Sequence, residues 1–254
     1  MPLSALSPCA RLLAEAKLAV GSLPTLPADI APTTDAAAYG IQRELFLSLQ
    51  SSLGGWKVGA KSPTADINGS VLPNTSIHPS GVTLARSAFT WIGLELEIAF
   101  RLNHSFLANQ APHPPEAILA SIASQCPSIE LVTSRIQPNP ANPRRWAIAD
   151  LLNHGALVVG EEQPYQPDYP FLTPRLSWTF NGRNIAPETP PANPAGDPRR
   201  LLPWIVNHCC QQGWDFHPDL VITAGTYTGI FKPTEAGQAI GTIDGLGSVI
   251  LNLL

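Results

Sequence analysis

The chain has 254 residues, 44% of them hydrophobic and 13% charged, with a formal net charge of −4. That length buries a sizeable core in one large domain, or in a main domain with a small appendage. Mild acidity without a run of Lys or Arg gives no electrostatic footprint for phosphate backbones, which argues against a nucleic-acid partner. No apolar run approaches the roughly 18 residues of a membrane span. Arg11, Glu15 and Lys17 interrupt the apolar pattern of the N-terminus, so no signal peptide is expected and a cytoplasmic protein is. The four cysteines form no C-x-x-C pair and read as free buried thiols. The 27 prolines, about twice the usual share, are interleaved with plentiful hydrophobic residues and read as rigid loops.

Two helices are expected at the start. Ser7-Pro8 supplies an N-cap and a proline at the first helical position, and apolar residues then recur at helical spacing to Gly21. A second helix opens at Thr34-Asp35 and carries Tyr39, Ile41, Leu45, Phe46 and Leu49 to a stop at Gly54-Gly55. A proline-rich linker over 23–32 joins them. Residues 1–54 are thus expected to form a helical N-terminal region, and 55–254 the main domain.

From Trp56 the period becomes that of strands: 56–59, 94–102, 128–132, 156–160, 176–180, 220–224 and 247–253. Asn181-Gly182 after the fifth of these marks a hairpin. One helix is expected from Pro114-Pro115 through Glu116–Gln125. Another opens on Asp197-Pro198 and ends at Gly213, with Pro203 either tolerated early in it or shifting its start. Strands and helices do not alternate as a parallel sheet requires, so a β-rich α+β fold is expected.

The segment Gly93-Leu-Glu-Leu-Glu-Ile-Ala-Phe-Arg-Leu102 carries the chemistry. Alternation puts Leu94, Leu96, Ile98 and Phe100 on one face and Glu95, Glu97, Ala99 and Arg101 on the other. Two carboxylates about 7 Å apart repel unless solvent, Arg101 or a cation lies between them. Glu130, set in the apolar run 128–132, adds a third carboxylate whose burial demands a partner. A salt bridge to Arg135 or a lysine satisfies it; so does a hard divalent cation shared with Glu95 and Glu97. The six histidines show no ligand spacing, and His154 reads as a turn residue at a strand start. Gly225-Thr-Tyr-Thr-Gly229 offers hydroxyls and backbone N–H groups that bind a carboxylate or simply form a turn.

In order along the chain stand Gly55-Trp-Lys-Val-Gly59, Gly93-Leu-Glu-Leu-Glu-Ile-Ala-Phe100 and Ser128-Ile-Glu-Leu-Val-Thr-Ser-Arg135. Ala149-Asp150 with His154–Gly160, Ala224-Gly-Thr-Tyr-Thr-Gly229 and Gly245-Leu-Gly247 follow. This series resembles the 2-keto-4-pentenoate hydratase and 2-oxo acid decarboxylase branch of the fumarylacetoacetate hydrolase superfamily. The resemblance implies a β-rich mixed sheet or roll with flanking helices, assembled into homo-oligomers. It implies Mg²⁺ or Mn²⁺ on Glu95, Glu97 and Glu130, with Lys57 as the catalytic lysine and Asn153, Thr226 and Thr228 binding substrate. The implied reaction is addition of water to a small 2-hydroxy-dienoic or 2-oxo-enoic acid, as in aromatic catabolism. The alternatives are decarboxylation or C–C hydrolysis on the same scaffold, or binding of a 2-oxo acid without turnover. The chain departs from the family pattern at Ile67, where an aspartate that takes part in proton transfer is usual. It also departs at Leu151, Asn153 and Thr133.

Overall fold

The computed structural model describes residues 1–254. Helices α1 (Pro8–Leu18) and α2 (Asp35–Ser48) lead into strands β1 (Leu53–Ala60), β2 (Ile67–Pro73), β3 (Ile77–Pro79), β4 (Val82–Leu84) and β5 (Gly93–Leu102). Then come α3 (Pro115–Ala120), β6 (Ile122–Val132), α4 (Arg144–Ala149), β7 (His154–Val159), β8 (Gln163–Pro164), β9 (Leu176–Phe180) and β10 (Arg183–Asn184). The chain closes with α5 (Leu202–Gln211), β11 (Val221–Thr226), β12 (Gly237–Ile243) and β13 (Gly247–Leu253). No helix is long and apolar enough to cross a membrane. All four cysteines are buried and unpaired.

The local signals act as their chemistry requires, with corrections at the ends. Pro8 opens α1, but Ser7 makes no side-chain cap; its N–H donates to Glu44 Oε2 at 2.6 Å. Thr34 caps α2 by accepting from the Ala37 N–H at 3.1 Å. That helix stops at Ser48, short of Gly54-Gly55, because Gln50 turns left-handed (φ 53°). Both glycines belong to β1, where a Cβ on Gly55 would overlap the Val221 carbonyl of β11. The helix expected to reach Gln125 ends at Ala120, since residues from Ile122 onward pair with β5: Ile122 with Leu102, Ser124 with Arg101, Gln125 with Phe100. Asp197 accepts from the Arg199 N–H at 2.9 Å, but a 3₁₀ turn follows, and the α-helix starts at Leu202 with Pro203 in its first turn.

Two sheets form, both mixed. The larger runs β2-β1-β11-β5-β6-β7-β3, with β8 on β6; the smaller runs β10-β9-β12-β13-β4. In the first, β1–β11 and β3–β7 are parallel and the rest antiparallel. Its two outer strands, β2 and β3, are joined by only Asn74–Ser76, so the sheet must roll until its edges nearly meet. The α+β expectation holds.

The roll separates two environments. Outward side chains (Trp56, Val58, Leu94, Leu96, Ile98, Phe100, Ile129, Leu131) join one core of 52 buried residues that also takes in α1, α2, α5 and the second sheet. Leu96 crosses to the second sheet at Gly241, where a Cβ would run into its methyl groups. Inward, a small apolar plug of Leu72, Ala99, Cys126, Leu157 and Val221 fills one part of the roll. The inward side chains of β1, β5 and β6 beyond the plug include Lys57, Glu95, Glu97, Ser128 and Glu130. Leu96→Ala is expected to cost about 2–5 kcal/mol, read as a lower urea midpoint at unchanged slope.

Candidate active site

Strand register brings the acids together. Glu95 of β5 stands directly opposite Glu130 of β6, and Glu97 opposite Ser128. Like charges facing each other across a sheet are destabilising. Here one oxygen from each of Glu95, Glu97 and Glu130 lies within 4.8 Å of the others. Glu97 and Glu130 are buried, at 3% and 1% exposure; Glu95 is partly exposed.

Neither arginine weighed as a partner serves the cluster. Arg101 pairs with Glu162 at 2.5 Å, and Arg135 with Asp150 at 2.5 Å. The cation is Lys57, inward on β1: its Nζ donates to Glu130 Oε1 at 2.5 Å and to the Leu152 carbonyl at 3.0 Å. His154 touches the same oxygen through Nδ1 at 3.3 Å, while its Nε2 lies 2.8 Å from Ser76 Oγ. Burial pulls the His154 pKa down to about 4, so the ring is neutral. A proton on Nδ1 serves Glu130. The Thr223 hydroxyl donates to Glu97 and is itself 3.2 Å from Ser128 Oγ.

Three acids against one ammonium leave excess negative charge, and the protonation equilibria register it. Burial and then the Glu130 charge push the Glu95 pKa up to about 7, against the pull of Lys57. Burial, Glu130 and Glu95 together hold Glu97 well above the carboxylate range. Burial also acts to raise Glu130, but Lys57 and His154 outweigh it and leave a net lowering. Three converging hard oxygen donors, one open to solvent and none neutralised by a guanidinium, fit a divalent cation such as Mg²⁺ or Mn²⁺.

The trio and Lys57 line a cavity of about 240 Å³, together with Gly225 and Thr226 of the intervening β11. Gly225 is left-handed (φ 77°) and pinned by Asn193, whose Nδ2 donates to the Ala224 and Gly225 carbonyls at 2.7 and 3.0 Å. The other two residues expected to bind substrate lie elsewhere. Thr228 accepts from the Leu96 N–H at 3.2 Å and does not line the cavity. Asn153 borders a neighbouring cleft with Trp91 and Lys232. Ile67, which stands where the family aspartate is usual, does not line the acidic cavity, and no aspartate does. Sequence reasoning missed His154, Thr223, Asn193 and the Leu152 carbonyl. Their residue types are ordinary at strand ends and loops, and only tertiary pairing exposes their roles.

Leu152 owes its position to a strained turn. Leu151, Leu152 and Asn153 are consecutive left-handed residues (φ 53°, 48° and 61°). That region costs roughly 1–2 kcal/mol per leucine. Arg135 over-determines the turn. Its Nε and backbone N–H bind the Asp150 carboxylate, and its terminal nitrogens bind the Asp150 and His154 carbonyls at 2.6 and 2.9 Å. Arg135→Met leaves Asp150 buried without its partner and is expected to lower stability by about 3–5 kcal/mol. In urea denaturation, Arg135→Met/Asp150→Asn should fall short of the sum of the single changes.

No protein-family model and no curated protein sequence matches the chain. Solved structures do. The 4-oxalocrotonate decarboxylase of Pseudomonas putida G7, complexed with magnesium and adipate, superposes at TM-score 0.83 with 18% identity, covering 100% of this chain and 99% of that one. The fold is shared. The fumarylpyruvate hydrolase of Pseudomonas aeruginosa, in complex with Mn²⁺ and pyruvate, matches at TM-score 0.57 and 15% identity over 79% of this chain and 88% of that one. A 5-carboxymethyl-2-hydroxymuconate delta-isomerase of Mycobacterium smegmatis matches at 0.55 and 14% identity over 80% of each chain.

Proposed function

We propose that this chain is a divalent-metal-dependent lyase acting on a small 2-oxo or 2-hydroxy-dienoic acid. The observation that carries the reading is the trio of carboxylate oxygens within 4.8 Å of one another, one of them bonded to Lys57. The groups bound in two solved neighbours support it: magnesium with adipate in the decarboxylase, Mn²⁺ with pyruvate in the hydrolase. Glu95, Glu97 and Glu130 would hold Mg²⁺ or Mn²⁺ here. When bound, such an ion supplies Lewis-acid polarisation of the substrate's carboxylate and 2-oxygen, stabilising negative charge that develops there.

Lys57 is the proton carrier. Two of its three N–H bonds serve Glu130 and Leu152, which fix the ammonium and leave one for the substrate. The ammonium can protonate a chain carbon, and the amine that remains can take a proton from attacking water. Hydration, the outcome the resemblance implies, needs both movements. Loss of carbon dioxide needs only the first, on the carbon that keeps the electron pair of the broken bond. The absence of an aspartate from the cavity therefore favours a second reading, decarboxylation.

Excess MnCl₂ or MgCl₂ is expected to raise the melting temperature of the wild type, about 2.7 kcal/mol of stabilisation at a hundredfold excess over Kd. Glu95→Ala and Glu97→Ala should lose that rise together with turnover. Lys57→Met should keep the rise while turnover drops about 10²–10⁴-fold. Full activity in excess chelator contradicts the reading. With 2-hydroxypenta-2,4-dienoate and its carboxylated precursor as substrates, NMR of the products separates added water from released carbon dioxide.

A further inference from the structure

Away from the acid cavity, two cations meet where the N-terminal helix joins the main sheet. Lys17 stands in the last turn of α1 and is only partly exposed. The chain then runs back beside the residues that follow β6. There the Leu23 N–H donates to the Arg135 carbonyl and the Gln137 N–H to the Leu23 carbonyl, both at 2.8 Å. Lys17 and Arg135 line one small cavity of about 40 Å³, with Thr90, Thr133 and four apolar residues around them.

This cavity is rich in donors and no acid lines it. Lys17 makes neither an ion pair nor a side-chain hydrogen bond, so its three N–H bonds are unspent. Arg135 spends three of its five side-chain N–H bonds on Asp150 and the His154 carbonyl and keeps two. The Thr90 hydroxyl donates to the Ser134 carbonyl at 2.7 Å and therefore accepts from Thr133 at 3.0 Å; neither brings charge. The closing carbonyls of α1, on Glu15, Ala16 and Lys17, already accept from Ala19, Gly21 and Val20.

Charge points the same way. Asp150 cancels Arg135, which it meets at 2.5 Å, and one positive charge is left on Lys17. Burial and then the Arg135 charge lower the Lys17 pKa to about 8, against the pull of Asp150. The ammonium therefore persists at neutral pH in surroundings that are still positive. One monovalent anion restores neutrality, and a dianion overshoots it. Size narrows the choice, since about 40 Å³ takes a halide or two or three waters but no organic acid.

We propose that Lys17 and Arg135 form a site for one small monovalent anion of chloride size, joining the end of α1 to the clamp on the Leu151–Asn153 turn. The inference is independent of the reaction performed at the acid cavity.

Thermal melts in sodium chloride and in sodium isethionate, whose anion is too large for the cavity, test it at equal ionic strength. A tenfold excess of chloride over its dissociation constant is expected to raise the wild-type melting temperature by about 3–6 °C over isethionate. Lys17→Met loses that difference and Lys17→Arg keeps most of it, while a cooperative melt in isethionate shows that each variant folds. Crystals grown in sodium bromide are expected to show an anomalous scattering peak beside the Lys17 ammonium. Equal wild-type melting in the two salts overturns the site, as does a chloride gain undiminished in Lys17→Met. A bromide peak found only elsewhere on the protein overturns it as well.

Discussion

The confrontation of Glu95 with Glu130 across β5 and β6, with Glu97 one alternation away, is the constraint around which the rest of the site is arranged. Carboxylates at such separations inside a fold raise one another's proton affinity, and burial adds to the effect. The fold meets the excess only in part. Lys57 neutralises one charge, the Thr223 hydroxyl serves another, and a neutral His154 offers a hydrogen bond without a second charge. What remains unbalanced is close to what a divalent cation would cancel, with Glu95 at the solvent side where exchange is easiest.

Placing such a cluster requires a rigid frame, and the rolled sheet provides it. Its outer surface is bound into the main core with the second sheet and the helices, while an apolar plug fills part of its interior. The polar inward positions therefore cannot spread apart to relieve their repulsion. Behind them, the buried Arg135–Asp150 pair fastens three left-handed residues, so that the Leu152 carbonyl meets Lys57. Strain of this kind persists only where surrounding bonds fix it, and here it holds the carbonyl that fixes the Lys57 ammonium.

The chemical consequence is a cavity in which Lys57, held by Glu130 and the Leu152 carbonyl, stands beside the three acids. On the proposed reading, a single lysine suits a reaction in which one proton is placed on carbon, and can also serve hydration if it gives and then takes a proton.

The sequence by itself determined what depends on local pattern. Alternation in 93–102 set Glu95 and Glu97 on one face; the Asn181-Gly182 turn closed β9 onto β10; Thr34 began α2. It also marked Glu130 as an acid in an apolar strand that had to find a partner. Only the tertiary structure decided which partner. Arg135 and a lysine were both plausible by type, yet Arg135 is consumed by Asp150, and the partner is Lys57. The reach of β6 back to Ile122, the strand character of the Gly-containing β2 and β12, and the meeting of Lys57 with Leu152 and Glu130 have the same origin. Each rests on pairing between segments tens of residues apart, where hydrogen-bond ladders and burial override intrinsic preference. A pattern within ten residues carries no record of that pairing.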